Sequence, residues 1–190
     1  MSNPHPLEYW KNPRDNNAAE NYLDSKKQTQ KTDIVYKTIY KYAKKTDSIL
    51  ELGCNVGRNL NRFMEEGYKK VSGVEISEIA IKLGEKHYPE LTGKMKLSSI
   101  EDCIKDLPVH DIVFTRAVLE HITRESDWIF PEIEKVVGKY LITIEDEKSD
   151  GWKHFKRNYQ DVFTNLTQIE TRRLAEEGMS DFVLRVFENK

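Results

Sequence analysis

Ser48-Ile-Leu-Glu-Leu-Gly-Cys-Asn-Val-Gly-Arg-Asn59 is the stretch on which the fold of this chain turns. Ser48 to Leu52 is a short apolar run of the kind buried as a strand. Gly53 and Gly57 then bracket a turn, and from Arg58 the pattern becomes helical. A strand, a glycine turn and a helix bring backbone close to a nucleotide-like ligand. A dinucleotide fingerprint starting at Gly53 needs glycine at 55 and 58, where the chain has Asn55 and Arg58. That fingerprint fails.

The flanking sequence repeats the same alternation. Thr32-Asp33 is a plausible helix start, followed by Ile34, Val35, Thr38, Ile39 and Tyr42 on one face. After the glycine turn, Leu60 and Phe63-Met64 form an inward stripe and Gly67 ends the helix. Val71 to Ile76 reads as a second strand, with Ser77-Glu78 capping the next helix. Met95 to Ile100, Asp111 to Thr115 and Tyr140 to Ile144 read as three more strands. Helical patterns cover Ile122 to Val137, interrupted by Pro131, and Trp152 to Asn165, with Phe155, Tyr159, Val162 and Phe163 inward. The chain closes on Leu166 to Leu174 and Phe182 to Phe187, two strand-like runs around Glu176-Glu-Gly178. Strands alternating with helices imply an α/β fold, a mostly parallel sheet with helices on both faces, and the closing hairpin adds an antiparallel strand.

Residues 1–31 form an N-terminal arm or lid, and 32–190 the folded domain. Ala18 to Lys27 can be helical, while Tyr9, Trp10 and Tyr22 give the polar arm something to pack with. The chain has 190 residues, 30 basic and 32 acidic, for a net charge of −2. That balance lacks the basic footprint of a nucleic-acid binder. No segment approaches the ~20 apolar residues of a membrane span. Cys54 and Cys103 are not in CxxC spacing, which favours reduced thiols and a cytoplasmic protein.

Four elements carry a resemblance to the class I S-adenosylmethionine-dependent methyltransferases. Glu51-Leu-Gly53-Cys-Asn55-Val-Gly57 matches the family's acid-x-Gly-x-Gly-x-Gly motif except at Asn55. Asparagine tolerates left-handed backbone angles, so the turn survives the exchange. Glu75 ends the second strand, where the family's acid binds the ribose hydroxyls. Ser99 and Ile100 match the places that contact adenine, although Ser98-Ser99 before Glu101-Asp102 can equally be a helix cap. Asp111-Ile-Val-Phe-Thr-Arg-Ala-Val-Leu-Glu-His121 resembles the fourth-strand motif. The resemblance implies a Rossmann-like seven-stranded sheet of order 3-2-1-4-5-7-6. It also implies S-adenosylmethionine as methyl donor and S-adenosylhomocysteine as product. The implied cofactor contacts are Glu51, Gly53, Cys54, Asn55, Gly57, Asn59, Glu75, Ile76, Ser99, Ile100 and Arg116.

Methyl transfer from a sulfonium is an in-line displacement, in which positioning supplies most of the acceleration and a histidine can serve as base. His121 and His154 are the two candidates. The competing reading of His121 is a residue that orients its loop; that of His154 is a solvated helix start beside a buried Phe155. Arg157 is a further candidate for the acceptor, and His5, His87 and His110 are expected to face water. Glu145-Asp-Glu147 suggests a divalent ion, as in metal-assisted O-methyltransferases. Such sites also want an acid at the end of the fourth strand, where Thr115 and Arg116 stand, so no metal is expected. The motif that methylates base or amide nitrogens is absent after the fourth strand. The expected acceptor is therefore a small molecule, bound between the arm and residues 148–160. Two other readings stay open: a non-catalytic S-adenosylmethionine-binding subunit supporting a partner enzyme, and a nicotinamide-dependent reductase.

Overall fold

The computed structural model describes residues 3–23 and 25–190. Its centre is a seven-stranded sheet built from β1 (Ser48–Leu52), β2 (Lys70–Glu75), β3 (Met95–Leu97), β4 (His110–Arg116), β5 (Val137–Asp146), β6 (Thr167–Arg173) and β7 (Phe182–Glu188). The spatial order is β3-β2-β1-β4-β5-β7-β6, as the resemblance implies. β1 to β5 are parallel, and β7 runs antiparallel to both β5 and β6. β1 lies between β2 and β4, so the turn after it opens at the carboxyl edge where such sheets bind ligands.

Period-two alternation divides the core. Ile49, Ile112, Phe114 and Ile142 face one side, with α2 (Lys26–Tyr40), α3 (Arg58–Glu65) and α4 (Glu78–His87) packed on them through Val35, Phe63 and Ala80. Leu50, Leu52, Val113 and Leu141 face the other, covered by α5 (Ile100–Cys103), α6 (Ile129–Lys135) and α7 (Tyr159–Val162). A short α1 (Pro6–Lys11) lies in the arm.

Several local expectations change. The helix expected from Thr32 starts at Lys26, because Ser25 is extended and its side chain accepts from the N–H of Gln28. Thr32 is instead a buried pin: its hydroxyl accepts from Arg58 Nε at 2.7 Å and donates to Asn59 Oδ1 at 3.1 Å. Ala18 to Lys27 holds one tight turn, Ala19–Tyr22, before α2; Asp24 in that stretch lies outside the described residues. β3 ends at Leu97 because Ser99 caps α5. Of Ile122 to Val137, only Ile129–Lys135 is α-helix, with Pro131 in its first turn, where a missing N–H costs nothing. Trp152 to Asn165 is mostly not helical. Gly151 and His154 form an antiparallel bridge, and α7 begins only at Tyr159 behind the Asn158 cap. Tyr159 and Phe163 are nevertheless buried, as expected, while Phe155 is half-buried.

Candidate active site

The turn after β1 alternates left-handed residues: Gly53, Asn55 and Gly57 have φ of +73°, +49° and +74°. Asn55 takes the middle place because its side-chain Oδ1 accepts from the N–H of Val56 at 2.8 Å. Gly53 has a second reason to be glycine, since a Cβ there would lie 2.4 Å from Val118 Cγ2. Gly57 serves packing: a Cβ would strike Leu91 Cδ1 at 2.5 Å.

Three ionisable groups lie beside this turn. Glu75, at the end of β2, accepts from the N–H of Asn55 at 2.7 Å and from the N–H of Ser77 at 2.8 Å, one bond on each carboxylate oxygen. Each oxygen retains a lone pair for a ligand hydroxyl. Burial pushes Glu75 above the usual carboxylate range, and the backbone donors oppose that rise. Glu51 is buried; its Oε1 accepts from Asn59 Nδ2 at 2.6 Å, and its Oε2 has no partner. Burial raises Glu51 to about 8. Arg116, on the end of β4, supplies positive charge to Glu51, Glu120 and Glu145. Burial lowers its own pKa.

A second group of side chains lies beyond Arg116. Ala117 adopts φ of +56°, a left-handed conformation that costs a non-glycine residue about 1 kcal/mol or more. Glu145, fully buried, accepts from the N–H groups of Val118 at 2.9 Å and Glu120 at 3.3 Å and so fixes the turn. Burial raises both Glu120 and Glu145, and the negative charge of Glu145 further opposes ionisation of Glu120. Glu120 Oε2 accepts from the N–H of Asp146, which leaves Oε1 facing two histidines. That oxygen is 3.6 Å from His121 Nε2 and 3.9 Å from His154 Nε2. His121 Nδ1 donates to the carbonyl of Lys153 at 2.6 Å, which places the Nε2 lone pair toward Glu120. Burial, assisted by nearby cations, lowers His121 to about 3, so its imidazole is neutral at pH 7. His154 is half-buried and also lowered, chiefly by burial.

The arm covers this end. The Trp10 ring lies 4.4 Å from that of His121, and its buried Nε1 has no partner. Lys153 Nζ sits 4.7 Å from the ring centre of Tyr9, 5.3 Å from that of Trp10 and 5.6 Å from that of Trp152.

One cavity of about 460 Å³ joins the two groups. This is within the usual range for small-molecule sites. Glu51, Gly53, Cys54, Asn55, Asn59, Glu75, Ile76, Ser99, Ile100 and Arg116 line it; Gly57 does not. Ser99 caps α5, accepting from the N–H of Asp102 and donating to Asp102 Oδ2 at 2.7 Å, and it also lines the cavity. His121 lines the wall directly, while His154 stands behind it beside Glu120. Arg157 is drawn away from any acceptor. It is buried and binds Asp127 and the carbonyls of Leu119, Thr123 and Phe155. His5 and His87 are exposed, but His110 is half-buried, with Nδ1 donating to the Pro108 carbonyl. Glu145, Asp146 and Glu147 do not converge: Glu145 holds the turn, Asp146 accepts from the N–H groups of Lys148 and Ser149, and Glu147 pairs with Arg185.

Beside the expected arm and Lys153, the cavity is walled by the turn from Gly178 to Phe182 and by Glu120. No sequence pattern marks Glu120. Its partners lie on β5 and in the following loop, and only the parallel pairing of β4 with β5 brings them together.

Residues 49–139 match the family model described as a methyltransferase domain. No curated protein matches the chain. Among solved structures, magnesium protoporphyrin IX methyltransferase from Synechocystis with bound S-adenosylmethionine superposes with a TM-score of 0.72 at 14% identity, covering 99% of this chain and 97% of the other. The N-methyltransferase NodS of Bradyrhizobium japonicum, with S-adenosylhomocysteine, gives 0.70 at 14% identity, over 98% and 99% of the two chains. A putative methyltransferase from Haloferax volcanii, in complex with the Trm112 methyltransferase activator, gives 0.70 at 10% identity over 99% of each chain. Residues 49–139 match a methyltransferase domain, and the chain as a whole has the fold of the class I S-adenosylmethionine-dependent methyltransferases.

Proposed function

We propose that this enzyme transfers a methyl group from S-adenosylmethionine to a small-molecule acceptor held between Trp10, Glu120 and His121. The observation that carries this reading is the continuous cavity from Glu75 and the glycine turn to the Glu120–His121 wall. The residues present fit the donor. Glu75 keeps lone pairs for two ribose hydroxyls, and Ile76 and Ile100 offer apolar sides to a base. The left-handed turn opens backbone at Gly53 to Asn55, and Arg116 offers a guanidinium to a carboxylate.

When bound, S-adenosylmethionine supplies an electrophilic methyl carbon on a sulfonium. The protein supplies position. Lys153 holds His121 in one tautomer, Glu145 holds the turn bearing Glu120, and Trp10 excludes water from the same wall. His121, lowered to about 3, is a weak base, which favours an orienting role for it. His154, closer to solvent, is the better placed of the two to pass a proton outward. The chain's balanced charge and the enclosure by the arm support a small acceptor over a nucleic acid.

The test is calorimetric titration with S-adenosylhomocysteine, followed by methyl transfer from labelled donor to panels of hydroxyl and amine acceptors. Micromolar binding with turnover is expected. No binding overturns the reading. Binding without turnover until a partner is added favours a partner-dependent subunit, the arrangement suggested by the Haloferax volcanii neighbour in its activator complex.

A further inference from the structure

Glu120, His121 and His154 form a constellation that positioning of an acceptor does not by itself require. One ligand atom from each lies within 4.8 Å of the other two. Glu120 Oε1 is 3.6 Å from His121 Nε2 and 3.9 Å from His154 Nε2. Two ligands of a tetrahedral zinc ion, each about 2.0–2.1 Å from the metal, stand about 3.4 Å apart. Both measured separations are within about half an ångström of that spacing. Only the two imidazoles, whose ring centres are 4.8 Å apart, need to approach each other.

The surroundings have the form of a metal site. His121 Nδ1 donates to the Lys153 carbonyl, so its lone pair is on Nε2, aimed at the trio. An outer partner of this kind orients a ligating histidine in metal sites generally. The other oxygen of Glu120 is held by the N–H of Asp146, which leaves Oε1 directed at both rings. Acceptor lone pairs therefore converge from two sides, and a proton or a cation must sit between them.

We propose that Glu120 Oε1, His121 Nε2 and His154 Nε2 bind a divalent transition-metal ion, with zinc the best match to two imidazoles and one carboxylate. Three protein ligands leave a fourth place open. Glu120 and His121 line the cavity wall, so that place faces the cavity. An oxygen of water or of the acceptor fills it, a last step that rests on the acceptor side proposed above. This site is distinct from Glu145, Asp146 and Glu147, whose side chains are engaged elsewhere.

The experiment is titration of the full-length, chelator-treated protein with zinc chloride by calorimetry, and with cobalt chloride by visible absorption. Wild type is expected to bind one equivalent, with the intense visible bands of four-coordinate cobalt. His154→Ala, at a half-exposed position, and the isosteric Glu120→Gln are each expected to weaken binding at least tenfold while unfolding thermally as single transitions. Glu75→Ala is expected to weaken S-adenosylhomocysteine binding at least tenfold and keep the metal, which separates failure of this site from failure of the donor reading. Absence of saturable one-to-one binding, or affinity unchanged in His154→Ala, overturns the proposal and leaves a proton as the bridge.

Discussion

The N–H of Asn55 donates to Oε2 of Glu75 at 2.7 Å, so the acid proposed to hold the ribose also clamps the left-handed turn. Removing the carboxylate therefore does two things. Glu75→Ala is expected to weaken S-adenosylhomocysteine binding by about 1.5–3 kcal/mol, through loss of charge-assisted hydrogen bonds. It also frees the Asn55 N–H. Glu75→Gln keeps one oxygen for that N–H and loses half the acceptor capacity, so its affinity should lie between wild type and Glu75→Ala. Calorimetry on the three proteins checks the order; equal affinities would remove Glu75 from the site.

Gly53 is constrained twice, by its φ of +73° and by Val118 Cγ2, which would lie 2.4 Å from an added Cβ. Gly53→Ala is expected to lower stability by about 2 kcal/mol or more, since the left-handed cost of about 1 kcal/mol is joined by overlap. Adding Val118→Ala should relieve the overlap and leave the backbone cost. Urea unfolding of the single and double variants measures both parts; a double variant no more stable than Gly53→Ala would show that Val118 is not the obstacle.

Glu51 is raised to about 8 by burial, against an ordinary carboxylate value of 4.5. Between those values the folded state binds a proton that the unfolded state has released. Its contribution to stability is therefore fully present below pH 4.5 and is lost as pH rises through about 8. Each such proton gives a slope of up to about 1.4 kcal/mol per pH unit. Glu51→Gln, which cannot ionise, should flatten the fall in Tm between pH 6 and pH 8.5. Parallel profiles for the two proteins would show that Glu51 does not carry it.

Arg157 has the contacts of a staple. Its guanidinium reaches Asp127 and the carbonyls of Leu119, Thr123 and Phe155. Arg157→Met is expected to cost about 3 kcal/mol by leaving those acceptors unpaired. A substrate-binding arginine would instead leave Tm in place and raise KM, so thermal unfolding alone decides between the two roles.

Where neighbours in sequence are neighbours in space, the sequence was readable. Glu51 lies on β1, Gly53, Asn55 and Gly57 form the turn that follows it, and Glu75 ends the adjacent strand, so their spacing was legible as one local unit. Residues 152–165 misled because Phe155, Tyr159, Val162 and Phe163 have helical spacing. The backbone there serves other partners: the N–H of Phe155 donates to the Glu120 carbonyl, and Gly151 pairs with His154. Thr32 resembled a cap because its hydroxyl suits one, but its partners, Arg58 and Asn59, are over 25 residues away. Ala117 gave no signal, since nothing about alanine announces a left-handed backbone.

Lys153 belongs to the chemistry and to the cover at once. Its carbonyl orients His121, and its ammonium rests among the rings of Tyr9, Trp10 and Trp152. Such contacts are each worth about 0.5–1 kcal/mol at exposed sites, and two of them, to Tyr9 and Trp10, tie the arm to this loop. Lifting the arm also takes the Trp10 ring off His121. If the proposed acceptor lies against this wall, the arm that encloses it must open for exchange, and the same movement would expose His121 to water.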